Sequence, residues 1–136
     1  MKFLCDANVS PYHSKALHAL SLPHGHSVAH LTEKFPANTE DIKWIEALSA
    51  EGGWAVITHD RAMSRRPVEQ EALRRSGLTV FMLARAWSSQ RQWSQAAALV
   101  RWWPRILEQA SLVAGGAAFE VPFGFSDKKR LKQLKL

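Results

Sequence analysis

The sequence has little sulfur, few aspartates and no long apolar run. Its single cysteine, Cys5, excludes an internal disulfide and a zinc site built from thiols. No apolar run approaches the roughly 18 residues needed to cross a bilayer, and Asp6 comes too early for a signal peptide. No repeat or low-complexity block is present. We therefore expect a soluble, cytoplasmic protein with no membrane partner, stabilised by a hydrophobic core.

Positive charge is what the sequence has in excess. It carries 18 Lys and Arg against 12 Asp and Glu, a net charge of +6, which favours polyanionic partners. Most of this excess lies in residues 127–136, which contain five basic side chains and one acidic one. We expect one domain over residues 1–126 and a basic tail over 127–136. The tail is either a frayed, solubilising terminus or a direct contact for nucleic acid.

Apolar segments alternate with segments of helical spacing. Buried strands are predicted at 2–5, 54–58, 78–83 and, more weakly, 27–31. Helices are predicted at 11–20, 39–50 and 67–75. Short connections between these β and α units imply right-handed crossovers. The predicted fold is therefore a three-layer α/β/α sandwich with a mostly parallel central sheet.

Capping residues support these boundaries. Ser10 followed by Pro11 predicts the start of the first helix, and Asn38 can cap the next. The pair Gly52 and Gly53 predicts the end of that second helix, and Gly77 predicts the end of the third. Helices and strands are thus joined by short turns.

A further helix is predicted over residues 89–110. Its apolar positions recur at spacings of three and four: Trp93, Ala96, Leu99, Val100, Trp103, Ile106 and Ala110. We expect this face to pack on the sheet, with a dimer interface or a base-stacking surface as alternatives. Pro104 predicts a kink or restart near Trp103. Residues 117–125 are expected to form a last edge strand broken by Pro122.

Three of the four aspartates lie where ligands bind in parallel sheets. Asp6 ends the first predicted strand, Asp60 follows the strand at 54–58, and Asp41 lies in the first turn of the preceding helix. Ligands bind beyond the carboxyl ends of such strands. Converging carboxylates repel each other, and a hard divalent cation keeps them ionised. We therefore predict a Mg²⁺ or Mn²⁺ site that activates water for phosphodiester hydrolysis.

Each aspartate also has a purely structural interpretation. Asp6 could bond the backbone of its own turn, and Asp60 could be an ordinary turn residue. Asp41 could simply favour the helix dipole, and its neighbour Glu40 could replace it as a ligand.

Cationic residues surround Asp60, and they are predicted to contact RNA phosphates: His59, Arg61, Arg65 and Arg66. An ordinary solvated loop is the alternative. The remaining histidines are predicted to be loop or surface residues, because no acid or thiol completes a transition-metal set: His13, His18, His24, His26 and His30.

Three segments together resemble a known family. Residues 1–10 read Met-Lys-Phe-Leu-Cys-Asp-Ala-Asn-Val-Ser, residues 39–45 read Thr-Glu-Asp-Ile-Lys-Trp-Ile, and residues 55–63 read Ala-Val-Ile-Thr-His-Asp-Arg-Ala-Met. They look like the acidic motifs of PIN-like domains, in the small group that starts strand-Asp-x-Asn and includes VapC-type toxin-like proteins. The resemblance spans roughly residues 1–85. It implies a PIN-like sandwich, a Mg²⁺- or Mn²⁺-dependent endoribonuclease site and often a partner antitoxin.

The resemblance also implies roles for individual residues. Asp6 matches the first metal-binding acid, Asp41 or Glu40 the helical acid, and Asp60 the acid of the Thr-x-Asp motif. Asn8 would support Asp6, and Thr58 would orient the loop.

One departure from the family pattern concerns a further acid. PIN nucleases commonly carry one two residues after the Thr-x-Asp aspartate, where this chain has Ala62, and an aromatic residue next, where it has Met63. Glu69 and Glu71 are the nearest replacements, although each is typical of a first-turn acid on a solvated face.

The leading hypothesis is a Mg²⁺- or Mn²⁺-dependent endoribonuclease, the toxin component of a type II toxin-antitoxin module. An antitoxin protein and a homodimer are the expected partners besides RNA. The alternative is a catalytically silent PIN-like module that binds RNA or a protein, which the missing acid at Ala62 favours. A phosphoaspartyl receiver or phosphatase is disfavoured, since no second acid or lysine stands beside Asp6.

Overall fold

A computed structural model describes residues 1–113 and 115–136 of the chain. Six strands within these residues form one sheet in the order β2-β1-β3-β4-β5-β6. The strands are β1 Lys2–Cys5, β2 Ser27–His30, β3 Trp54–Thr58, β4 Thr79–Leu83, β5 Ala118–Val121 and β6 Lys132–Leu134. The first five are parallel, and β6 is antiparallel to β5. The mostly parallel sheet predicted from the sequence is confirmed.

Helices cover both faces of this sheet. They are α1 Pro11–Ser21, α2 Leu31–Lys34, α3 Asp41–Glu51, α4 Pro67–Ser76 and α5 Gln92–Leu112. Short 3-10 turns lie at Leu22–His24, Arg61–Ser64 and Arg85–Ser89. Helix α1 contacts α5, and α3 contacts α4. Among the described residues no helix is long and apolar enough to span a membrane.

The strands alternate their side chains between two cores. Phe3 and Cys5 of β1 pack with Trp102 on the side of α1 and α5. Leu4, between them in sequence, packs with Trp44 on the side of α3 and α4. Because both faces are buried, the strands read as continuous apolar runs. This is the three-layer α/β/α sandwich predicted from the sequence.

Helix boundaries follow the predicted capping residues with one exception. The Ser10 hydroxyl accepts a hydrogen bond from the Tyr12 amide at 3.2 Å, and Gly77 ends α4 in the left-handed region. Asn38 does not cap α3, so that prediction was wrong. The Thr39 amide donates to the Pro36 carbonyl at 3.0 Å, which closes a turn around Asn38, and α3 begins only after Glu40.

Helix α5 differs from its prediction. It continues through Pro104 as one helix, so no restart occurs near Trp103. Buried Trp102, Trp103 and Ile106 on both sides of the proline hold the helix against the sheet. The predicted stripe is also only partly buried, because Trp93 is 85% exposed.

The last predicted strand is not at an edge. Strand β5 lies between β4 and β6, so the prediction of a terminal edge strand at 117–125 was wrong. The edge strand is β6, which comes from the basic segment 127–136 and which the sequence did not predict. The sheet therefore extends past residue 126, and a frayed terminus does not describe this segment.

Candidate active site

The predicted acids meet at the carboxyl ends of β1 and β3. Strand β1 has β2 on one side and β3 on the other, so the chain reverses its direction of winding between them. Such switch points are where doubly wound sheets bind ligands. Asp6 directly follows β1, and its amide donates to the Ile57 carbonyl at 2.9 Å. The backbone of Asp6 is thus fixed beside β3.

Thr58 links two of the aspartates. Its hydroxyl donates to Asp6 Oδ2 at 2.5 Å and accepts from the Asp60 amide at 2.8 Å. Thr58 is the last residue of β3 and is fully buried, so this bridge is held by the sheet itself. Asn8 supports Asp6 through its backbone, because the Asn8 amide donates to Asp6 Oδ1 at 3.1 Å.

Burial and neighbouring charge both act on Asp6. The side chain is 5% exposed, and burial raises the pKa of its carboxyl above the ordinary value. Hydrogen bonds from Thr58 and Asn8 lower that pKa, whereas the charges of Asp41 and Asp60 raise it. Asp41 and Asp60 therefore lie close enough for their charges to act on the Asp6 carboxyl.

Asp41 and Asp60 come from different elements and have different partners. Asp41 lies in the first turn of α3, and its Oδ1 accepts from Trp44 Nε1 at 3.0 Å. Asp60 Oδ1 accepts from the Ala62 amide at 3.1 Å, so the turn role predicted as an alternative is present. The remaining oxygen, Oδ2, of each aspartate accepts from Arg66.

Arg66 thus lies among carboxylates. Its Nη2 is 2.8 Å from Asp60 Oδ2 and 3.2 Å from Asp41 Oδ2, and its Nε is 3.1 Å from Glu69 Oε1. Desolvation lowers the pKa of Arg66, but Asp60, Glu69 and Asp41 together raise it above its usual range. The sequence placed Arg66 on an RNA phosphate, and in this structure its partners are acids.

The glutamates separate into members and non-members of this cluster. Glu69 lies in the first turn of α4, as predicted, and also forms an ion pair with Arg66 at 3.1 Å. Glu71 instead pairs with Arg74 at 2.6 Å and Arg75 at 2.8 Å. Glu40 is exposed and makes no capping bond, so Asp41 is the better match for the helical acid. Among these glutamates, Glu69 is therefore the one that contacts Arg66, beside Asp41 and Asp60.

A basic cleft lies beside the acids at the ends of β3 and β4. It has a volume of about 270 Å³, and we call it the arginine cleft; its lining residues are His59, Arg61, Ala62, Arg65, Leu83, Ala84, Arg85 and Ser88. Arg61 forms an ion pair with Glu120 across the sheet end. Burial, then the nearby charge of His13, lowers the pKa of His59.

Arg85 and Ser88 line the arginine cleft and are not among the residues predicted from the sequence. Arg85 follows β4 by two residues, as Asp60 follows β3. That spacing after a strand was the signal in the sequence that could have identified Arg85.

A larger cavity of about 470 Å³ lies between α1 and α5. It is lined mainly by apolar side chains such as Leu20 and Trp103, with none of the predicted site residues.

His30 positions the loop that follows Asp6. The ring is 2% exposed, and its Nε2 donates to the Val9 carbonyl at 2.8 Å, while Nδ1 bonds the Thr32 hydroxyl at 2.7 Å. His30 pairs with Cys5 across β1 and β2, which places the ring beside this loop. His13 is 5% exposed. The prediction of surface positions was therefore wrong for both histidines.

The three aspartates carry the type of ligand atom that a divalent cation prefers. Asp6, Asp41 and Asp60 offer the hard oxygen ligands that Mg²⁺ and Mn²⁺ prefer, and their charges already interact. In the arrangement of side chains described, no group of three or more His, Cys, Asp or Glu residues within 1–113 and 115–136 lies at distances suited to holding a metal. The Arg66 guanidinium donates hydrogen bonds to a carboxylate oxygen of each of two of these aspartates, Asp41 and Asp60.

The strand order and the side chains at its switch point define a doubly wound α/β fold with acids beyond the ends of β1 and β3. The family model for the PIN like domain matches residues 1–85, so the chain belongs to the PIN-like domain family. This match confirms the resemblance found in the three sequence motifs. Searches among curated proteins and among solved structures gave no significant match.

Proposed function

We propose that the protein is a Mg²⁺- or Mn²⁺-dependent endoribonuclease acting at the crevice between β1 and β3. The observation that carries this proposal is the convergence of three aspartates from three elements. Thr58 ties Asp6 to the Asp60 backbone, and one Arg66 nitrogen touches both Asp60 and Asp41. Membership of a family that is commonly nucleolytic supports the same reading.

The chain supplies the ligands and their orientation. Asp6, Asp60 and Asp41 would hold the cation, which when bound lowers the pKa of water and stabilises charge on the phosphoryl group. Thr58 fixes the Asp6 carboxylate and the loop of Asp60 together, and His30 fixes the loop after Asp6. Such outer partners determine ligand orientation.

The arginine cleft supplies a surface for RNA. Guanidinium groups bind phosphate oxygens bidentately, and Arg65 and Arg85 line this cleft next to Asp60. We propose that phosphates flanking the scissile bond bind there, with His59 and Ser88 as hydrogen-bonding neighbours. Arg61 contributes charge while paired with Glu120.

We also propose a toxin role in a type II toxin-antitoxin module, with an antitoxin as protein partner and a homodimer as assembly. The support is the resemblance of residues 1–85 to small PIN-like proteins that include VapC-type toxins. A neighbouring reading frame for a small DNA-binding protein is the expected genomic companion.

A catalytically silent binding module is the second candidate. Ala62 stands where the family commonly has an acid, and Arg66 already neutralises part of the acid cluster. Such a protein would bind RNA through the arginine cleft without cleaving it.

Cleavage of a mixed RNA pool separates the two candidates. The wild type is compared in Mn²⁺, Mg²⁺ and EDTA with Asp60→Asn and with Asp127→Asn, an aspartate outside the site. We expect metal-dependent cleavage that Asp60→Asn slows by about 100-fold or more and Asp127→Asn leaves unchanged. If neither the wild type nor Asp60→Asn cleaves RNA while both still bind it, the protein is instead the silent binding module.

A further inference from the structure

Arg66 is the cation that contacts the carboxylates of Asp41, Asp60 and Glu69. It is half-exposed at the start of α4, and its guanidinium joins carboxylates from three other places in the chain. These are Asp41 in α3, Asp60 after β3, and Glu69 one turn further along α4. A single positive charge thus stands among several negative ones.

The oxygens of Asp41 and Asp60 are all already bonded. Asp60 Oδ1 accepts from the Ala62 amide and Asp41 Oδ1 from the indole of fully buried Trp44, donors that the fold holds in place. The Oδ2 atoms of both residues accept from Arg66, whose side chain is 46% exposed. Arg66 is therefore the donor that can leave, since its long stem can carry the charge into water.

We propose that Arg66 is a built-in counter-ion that exchanges with the divalent cation at Asp41 and Asp60. The inference rests on the proposed metal site. Two cations at the same pair of oxygens repel each other, so metal binding requires the guanidinium to withdraw. Without metal, Arg66 relieves the repulsion among the acids and keeps the crevice assembled.

Withdrawal of Arg66 also changes the surface offered to RNA. Arg66 follows Arg65, which lines the arginine cleft. A guanidinium released from the carboxylates becomes available to a phosphate on that side. Metal binding and the positive charge presented to RNA are thus coupled through one side chain.

Direct Mn²⁺ titration by calorimetry tests the exchange without relying on activity. Arg66→Gln removes the charge, Arg66→Lys keeps it without the planar fork, and Arg75→Gln is the matched control on the same helix, where Arg75 pairs with Glu71 outside the acid cluster. We expect Arg66→Gln to bind Mn²⁺ about five- to tenfold more tightly than wild type, Arg66→Lys to fall between, and Arg75→Gln to match wild type. Adding Asp60→Asn to Arg66→Gln should abolish the gain.

Thermal unfolding provides the second measurement. In EDTA, Arg66→Gln should unfold at a lower temperature than wild type, because its carboxylates lose their counter-ion. Saturating Mn²⁺ should close that gap. A gap of equal size in EDTA and Mn²⁺ would show that Arg66 is a structural residue and would overturn the exchange.

The outcomes distinguish this inference from the proposed function. Wild-type binding of Mn²⁺ with Arg66→Gln equal or weaker overturns the exchange and leaves the metal site intact. No binding by wild type or either Arg66 variant overturns the metal site, and the exchange with it. Binding by Arg66→Gln alone supports the exchange in its strongest form.

Discussion

At the scale of single residues, Thr58 does the most to assemble the site. One buried hydroxyl donates to Asp6 and accepts from the Asp60 amide, so it fixes two acids that lie 54 positions apart in the sequence. Its loss leaves a buried carboxylate with fewer donors and an amide without its acceptor. The energetic effect should therefore appear in metal binding as well as in stability.

Substitution of Thr58 tests this bridge. Thr58→Val keeps the shape and removes the hydroxyl, and we expect it to weaken Mn²⁺ binding by about 10- to 100-fold and to lower stability by about 1–3 kcal/mol. Thr58→Ser retains the hydroxyl and should stay close to wild type in metal affinity. Calorimetry and urea unfolding measure the two effects. Equal Mn²⁺ affinity in all three proteins would refute a positioning role.

The buried carboxyl of Asp6 predicts a pH dependence of stability. Burial raises its pKa in the folded state above the ordinary value of 3.8, so the folded protein binds this proton more tightly than the unfolded chain does. The resulting stabilisation is present below the unfolded pKa and is lost as pH rises through the folded pKa. The ionised group therefore costs stability near neutral pH.

Asp6→Asn removes that ionisation. The wild type should lose this contribution to its stability as the pH rises from about 4 to about 7, whereas Asp6→Asn should not. In metal-free buffer, the free energy of unfolding of Asp6→Asn minus that of the wild type should therefore be larger at about pH 7 than at about pH 4. Urea unfolding at both pH values measures the difference. A difference that stays constant or shrinks with rising pH would contradict the burial effect at Asp6.

The sequence allowed the aspartates at strand ends to be predicted as site residues, but it did not allow the contacts of longer side chains to be predicted. Asp6 and Asp60 stand out because aspartates are few and follow apolar strands. Glu69 and Arg66 lie on the next helix, and their contacts depend on how α4 packs beside α3. Nothing in the sequence distinguishes His30 from the other histidines, because its position beside the Asp6 loop results from the pairing of β2 with β1.

At the scale of elements, the two ends of the chain behave differently. The early strands and helices that were predicted from apolar runs, helical spacing and capping residues lie within two residues of their predicted bounds, whereas the short helix α2, Leu31–Lys34, was not predicted. Strand β6 is a polar three-residue segment, Lys132–Leu134, whose conformation comes from pairing with β5 rather than from its own pattern. No local signal could have revealed it.

Arg105 anchors the segment that leads to β6. Its guanidinium donates to the carbonyls of Ser126 at 3.3 Å, Asp127 at 2.6 Å and Lys129, and it lies 4.9 Å from the Phe125 ring. Arg101 contacts the same ring at 4.8 Å. Both arginines contact the Phe125 ring, but the carbonyl contacts described here belong to Arg105. We therefore expect these carbonyl contacts to hold the segment that leads to β6.

Removal of these contacts should loosen the edge strand alone. We expect Arg105→Ala to speed hydrogen exchange in peptides covering residues 132–136 by about tenfold, while Arg101→Ala has little effect. Mass spectrometry of deuterium uptake reports both, with β1 peptides as an internal reference. Unchanged exchange at residues 132–136 in Arg105→Ala would show that the strand pairing needs no anchor.

At the scale of the whole molecule, the site exists only in the assembled sheet. Asp6 follows β1, Asp60 follows β3, Asp41 begins α3, and Arg66 precedes α4. The strand order brings β1 and β3 together, and α3 and α4 pack over one face of them. The alternation of strands and helices made this architecture predictable, whereas the ion pairs between its parts depend on the final packing.

Anomalous scattering from crystals soaked in Mn²⁺ would locate the cation directly. We expect a manganese peak at about 2 Å from carboxylate oxygens of Asp6, Asp41 and Asp60, with the Arg66 guanidinium withdrawn from Asp41 and Asp60. A control soak of Asp60→Asn crystals should lose the peak. No peak at these oxygens, with Arg66 still bonded to Asp41 and Asp60, would contradict a metal-dependent nuclease site in this crevice.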